Sequence, residues 1–105
     1  MPKTAERERN LYGDVNSKTG LRNVFLEIRK DIDGARSRED LTELHRRAGY
    51  MITLTYAPSW QDKFGKEAAK LRTVAEEEFA RTARRVNARA KEIGVDADYK
   101  EKWGD

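Results

Sequence analysis

Three clusters in this sequence carry side chains able to do chemistry. His45-Arg46-Arg47 places the only histidine beside two guanidinium groups, a set that could grip an anion or change charge near neutral pH. Arg81, Arg84, Arg85, Arg89 and Lys91 form a basic row near the end of a helical pattern, where phosphate contacts would make binding to nucleic acid strongly salt-dependent. Tyr50, Tyr56 and Trp60, with His45 nearby in the chain, could line a small-ligand pocket of apolar walls and few polar handles.

Each cluster also has a plainer reading. A lone histidine beside an apolar stripe is usually a boundary residue, and Arg46 and Arg47 have Glu43 and Glu39 within reach on neighbouring turns. Cations near a helix C-terminus complement its dipole without any ligand. The aromatic residues lie on the apolar stripe and not between the arginines, so the basic row has no stacking platform for bases.

Metal and catalytic chemistry find less support. A single histidine cannot form a two-histidine face, and position 42 is Thr, so no Glu precedes His45 by three. Asp31-Ile32-Asp33-Gly34 and Asp96-Ala97-Asp98 have the acid spacing of calcium loops, but the glycine of the first comes fourth and Glu101 stands where the second needs one. There is no glycine-rich phosphate loop and no nucleophile elbow. Glu76-Glu77-Glu78 reads as solvated helix surface, with Glu77 and Glu78 reaching Arg81. The expectation is a protein without catalytic activity, cofactor or metal.

The elements that must position these groups follow from apolar spacing. Among 105 residues, 22 are Lys or Arg, 19 are Asp or Glu and none is Cys, for a net charge of +3. Leu, Ile, Val and Phe make up only 19 of them, near the composition at which a chain stops burying enough to fold alone. No stretch has the apolar run of a signal peptide or a membrane span, so a cytoplasmic protein without membrane association is expected.

Residues 1–19 lack a period and read as a mobile or loosely docked arm. Leu21, Val24, Phe25, Ile28 and Ile32 form a helical stripe over about 20–33, stopped by Gly34. Ser37 caps a second helix over 37–57, whose stripe is Leu41, Leu44, Ala48, Met51 and Thr55. Its end, residues 50–56, is rich in β-formers, yet a two-stranded sheet is a poor structure, so helix is the better reading. Ala57-Pro58-Ser59 makes the turn.

A third helix is expected over 59–93, with apolar or small residues at Trp60, Phe64, Ala68, Leu71, Ala75, Phe79, Thr82, Val86, Ala90 and Ile93. Its eleven-residue period predicts a long, straight rod in which Gly65 is a local cost. Gly94 and Val95 should close it with a Schellman cap. In the tail, 95–105, Val95, Tyr99 and Trp103 share a face of a terminal helical turn.

The fold class expected is therefore all-α: a short helix followed by an antiparallel helical hairpin, a three-helix bundle per chain. With the hairpin folded about residues 57–59, Leu44 faces Leu71 and Ala48 faces Ala68, and helix 2 stops near Phe79. Phe79, Thr82, Val86, Ala90 and Ile93 are then left for a second chain, which predicts a homodimer; in the alternative, Tyr99 and Trp103 close the gap in a monomer. The function expected is protein interaction or assembly through this stripe. Nucleic-acid binding by the basic row, and a ligand pocket at His45, Tyr50, Tyr56 and Trp60, are the alternatives.

Overall fold

The computed structural model describes residues 15–104. Helix α1 spans Lys18–Ile32, α2 Arg38–Thr55, α3 Pro58–Phe64 and α4 Ala68–Glu92, with a single 3-10 turn, Gly65–Glu67, between the last two. Three of these helices pack against one another as an all-α bundle. No helix among the described residues is long and apolar enough to cross a membrane.

Each boundary has a local cause. The Ser17 hydroxyl accepts from the Gly20 amide at 3.0 Å and Ser37 accepts from Asp40 at 3.2 Å, relieving free donors at two helix starts. The N-terminus of α2 also holds Glu39 and Asp40, and Asp40 accepts from the Arg36 amide at 2.9 Å. Residues 50–55 are helical, because the inward positions Met51, Ile52 and Thr55 are all buried and helix packing outweighs their strand preference. At the far end the Val95 amide donates to the Ala90 carbonyl at 2.8 Å and the Gly94 amide to Lys91 at 3.2 Å, the expected Schellman closure.

The straight rod expected over 59–93 is instead two helices with a corner between them. Gly65 takes φ 52 and ψ −121, backbone angles a side chain disfavours, so the glycine marks a break and not merely a weak spot. Pro58 begins α3 at a position needing no amide donor. Trp60 plugs the corner: its ring is buried, its indole N–H donates to the Ala68 carbonyl at 3.2 Å, and Phe64 lies 4.5 Å from it, centroid to centroid.

The corner changes the register of the hairpin. His45 stacks on Phe79 and Tyr56 lies under Arg72, partners about eight to twelve residues further along than a turn at 57–59 alone would give. Helix α2 therefore reaches well beyond Phe79.

Helix α1 covers the opposite face and runs parallel to α4. Val15 is buried, its carbonyl accepting from Lys63 near the corner, while Arg29 meets Glu78 and Thr82, and Ala35 meets Arg89 near the end of α4. The leftover stripe consequently has its cover within one chain: Phe79, Thr82, Val86 and Ala90 are buried, and Ile93 packs partly buried against the same core. The expectation of an exposed dimer face there is corrected by this register. Of the arm, residues 1–14 lie outside the described residues, and Val15 belongs to the core.

Candidate functional site

The surface between α2 and α4 is where polar and aromatic groups gather. It is built from the small residues first. Gly49 leaves the middle of α2 without a Cβ, and the Trp103 indole lies in that gap; a Cβ there would come within 2.3 Å of the ring. His45, one turn earlier, puts its ring 5.1 Å from Phe79, 5.1 Å from Tyr99 and 5.6 Å from Trp103. Close approach, aromatic packing and apolar burial thus meet on one face.

Onto this face folds the C-terminal segment, in a way the helical-turn expectation missed. Residues 95–100 form neither helix nor strand, and Val95, Ala97 and Tyr99 are the partly buried ones, alternating with exposed Asp96, Asp98 and Lys100. A period of two, not four, decides which side chains face the helices.

The backbone of the segment is held by side chains. Asn87 accepts from the Tyr99 amide at 2.7 Å and donates to the Tyr99 carbonyl at 2.9 Å, so one carboxamide satisfies both polar groups of a single residue. Arg38 donates to the Asp96 carbonyl at 2.6 Å. His45 Nε2 lies 2.9 Å from the Lys100 carbonyl, a contact that requires a proton on that nitrogen. The Tyr99 hydroxyl sits 2.7 Å from Thr42 and donates to the Arg38 carbonyl at 3.3 Å, while Arg84 pairs with Glu101 at 2.6 Å.

Beside Trp103 the face stays open as a groove of about 530 Å³, floored by Ile52, Phe79 and Ala80 and walled by Tyr56 and Trp103. Tyr56 is 62% exposed and Trp103 39%. Arg72 covers the other face of Tyr56 at 4.3 Å and donates twice to the Thr55 carbonyl, fixing the C-terminal end of α2. Glu76 and Glu77 stand exposed at the rim.

The four residues expected to share a ligand pocket are not brought together. His45 lies under the tail, Tyr56 edges the groove, Tyr50 is exposed on α2, and Trp60 is sealed in the corner. Arg46 and Arg47 bond Glu43, as their spacing suggests, and Arg46 holds the Glu43 carboxyl below its ordinary range, against a partial opposing effect of burial.

Three members of the basic row, Arg84, Arg85 and Arg89, are bonded within the protein. Arg85 pairs with Asp33, which raises its pKa, and also with Glu92; Arg89 donates to the Ala35 carbonyl at 3.0 Å; Arg84 holds Glu101. Arg81 lies 3.6 Å from Glu78, and Lys91 is exposed. Glu78 corrects the solvated-surface reading of the acidic triplet: it is buried and binds Arg29 at 3.0 Å, with Thr82 accepting from Arg29 at 3.2 Å.

Asn87, Gly49, Thr42 and Arg29 were not singled out as a set by sequence reasoning. The usable signals were faint: a glycine within a helix and an asparagine beside the apolar stripe, both poor helix formers. No protein-family model matches this chain, and neither a curated protein nor a solved structure matches it significantly.

Proposed function

We propose that this chain is a small helical protein-interaction module without catalytic activity, and that its docking surface is the α2–α4 face. The observation that carries the reading is the open groove of Ile52, Tyr56, Phe79, Ala80 and Trp103. Exposed aromatic side chains over an apolar floor are the composition of binding hot spots. The acids Glu76 and Glu77 at the rim add orientation more than affinity.

Dimerisation through the Phe79 to Ile93 stripe is not part of this proposal, since those residues are occupied inside one chain. Nucleic-acid binding is the weaker alternative, because Arg84, Arg85 and Arg89 are committed to Glu101, Asp33 and the Ala35 carbonyl.

The test is selection from a random peptide library against the immobilised chain. Enrichment that is lost with Tyr56→Ala and with Thr73→Glu, an exposed position lining the same groove, in proteins with unchanged helical circular dichroism, is the expected result. Failure to enrich, or enrichment indifferent to both substitutions, would overturn the reading.

A further inference from the structure

The C-terminal segment sits on α2 and α4 as a bound peptide sits on a receptor. Its side chains alternate in and out, its backbone is read by Asn87, Arg38 and His45, and its two aromatic side chains enter separate places. Tyr99 reaches Thr42, and Trp103, four residues on, fills the gap at Gly49. No residue of 95–104 is fully buried. Gly94, at φ 75, and the Val95 amide, which donates to the Ala90 carbonyl, join the segment to the cap of α4.

Side-chain capture of backbone groups is independent of the captured sequence, whereas the Gly49 gap and the Thr42 contact select ring size and hydroxyl position. A segment held by contacts at its edge, with little buried area, opens at a smaller free energy than the core beneath it.

We propose that the α2–α4 cleft is a recognition site for a non-helical segment carrying Tyr and Trp four residues apart, with a small residue two before the Tyr. The chain's own residues 95–104 occupy that site as an internal competitor. The occupant is a segment of another protein with this chemistry, which displaces the tail and continues toward the groove at Tyr56. This rests on the interaction-module reading and names its partner class.

The probe is a fluorescein-labelled synthetic peptide with the sequence of residues 94–104, followed by anisotropy. The full-length Y99A/W103A protein, with its tail released, should bind it at least tenfold more tightly than the unaltered chain, in which the effective concentration of the tethered tail competes. Adding Gly49→Leu to that variant should cut binding at least tenfold. A second measurement uses the unaltered, nitrogen-15-labelled chain: excess unlabelled peptide should move the Trp103 indole N–H signal saturably to its free-peptide position and leave that of Trp60 in place.

Equal binding by the two proteins, indifference to Gly49→Leu, or an unmoved Trp103 signal would each overturn the proposal. Concentration-dependent dimers of the unaltered chain would assign the cleft to the tail of a second copy and overturn it as well. If the peptide fails while library selection still returns ligands dependent on Tyr56, the module reading stands and the tail-like partner falls.

Discussion

Helix α4 is covered on two sides by different means. Toward α1 the contact is dry and regular: Leu21, Val24, Phe25, Ile28 and Ile32 are all buried in the core, and the charged pair Arg29–Glu78 at its edge is completed by Thr82. On its C-terminal half toward α2, the cover is partly a non-helical tail with no fully buried residue, held through Asn87 and a tryptophan against a glycine. Area removed from water sets the first attachment, at roughly 25 cal/mol per Å². Directional bonds that water can replace set the second. One side therefore rests on fully buried apolar residues, and the other on partly buried ones and on hydrogen bonds to side chains.

The contrast would be broken most severely at Phe25, which is fully buried. Phe25→Ala should cost about 3–5 kcal/mol, read as a fall in the urea midpoint. Tyr99→Ala, which removes a tail anchor, should leave that midpoint within about 1 kcal/mol of the original. A Tyr99→Ala loss as large as that of Phe25→Ala would abolish the distinction between the two sides.

Glu78→Ala tests the polar edge of the α1 contact. It leaves Arg29, whose side chain is 21% exposed, with Thr82 as its remaining contact across α4. Removing one partner of a fully buried pair costs about 3–5 kcal/mol; with Arg29 partly solvated, about 2 kcal/mol is expected in equilibrium unfolding. Glu77→Ala, at an exposed position next to it, should change stability by less than about 0.5 kcal/mol.

At Gly49→Ala two effects oppose each other. Alanine in mid-helix is worth about 1 kcal/mol over glycine, but the added Cβ collides with the Trp103 ring. Thermal unfolding should thus shift little or upward, while the Trp103 indole N–H resonance moves to a solvent-exposed position and that of Trp60 stays. A marked drop in melting temperature would mean the tail is integral to the core.

The smallest effect is at Glu43. Its folded pKa lies below the ordinary value, chiefly through the hydrogen bond to Arg46. Its contribution is fully present above the unfolded carboxylate pKa and is lost as the pH falls through the depressed folded one. Glu43→Gln should remove part of the acid-side slope of stability and leave neutral pH nearly unchanged, because the pair is exposed.

Much of the fold was legible because its signals are local. The Ser37 cap, the α1 stripe ending near Gly34 and the closure at Gly94 and Val95 each depend on residues within one or two turns. Gly65 was visible only as a weak position, since a glycine's spacing does not reveal whether its backbone turns left-handed. That one break lengthened the corner, moved the partner of His45 to Phe79 and removed the uncovered stripe.

Of the candidate site, His45 and Tyr56 were legible as residues of interest, because a lone histidine and an aromatic near a turn stand out by type. Asn87 could not be read. Its role exists only because residue 99 returns to it, a non-helical path that the four-residue spacing of Val95, Tyr99 and Trp103 disguised as helical.

The tail is expected to open separately from the bundle it covers. Native-state amide hydrogen exchange tests it most directly, comparing the Tyr99 amide, held by Asn87, with the Val86 amide in the middle of α4. Tyr99 should exchange at least about a hundredfold faster, at a rate insensitive to low concentrations of denaturant, while Val86 follows global unfolding. Equal protection at the two amides, with the same denaturant dependence, would contradict it.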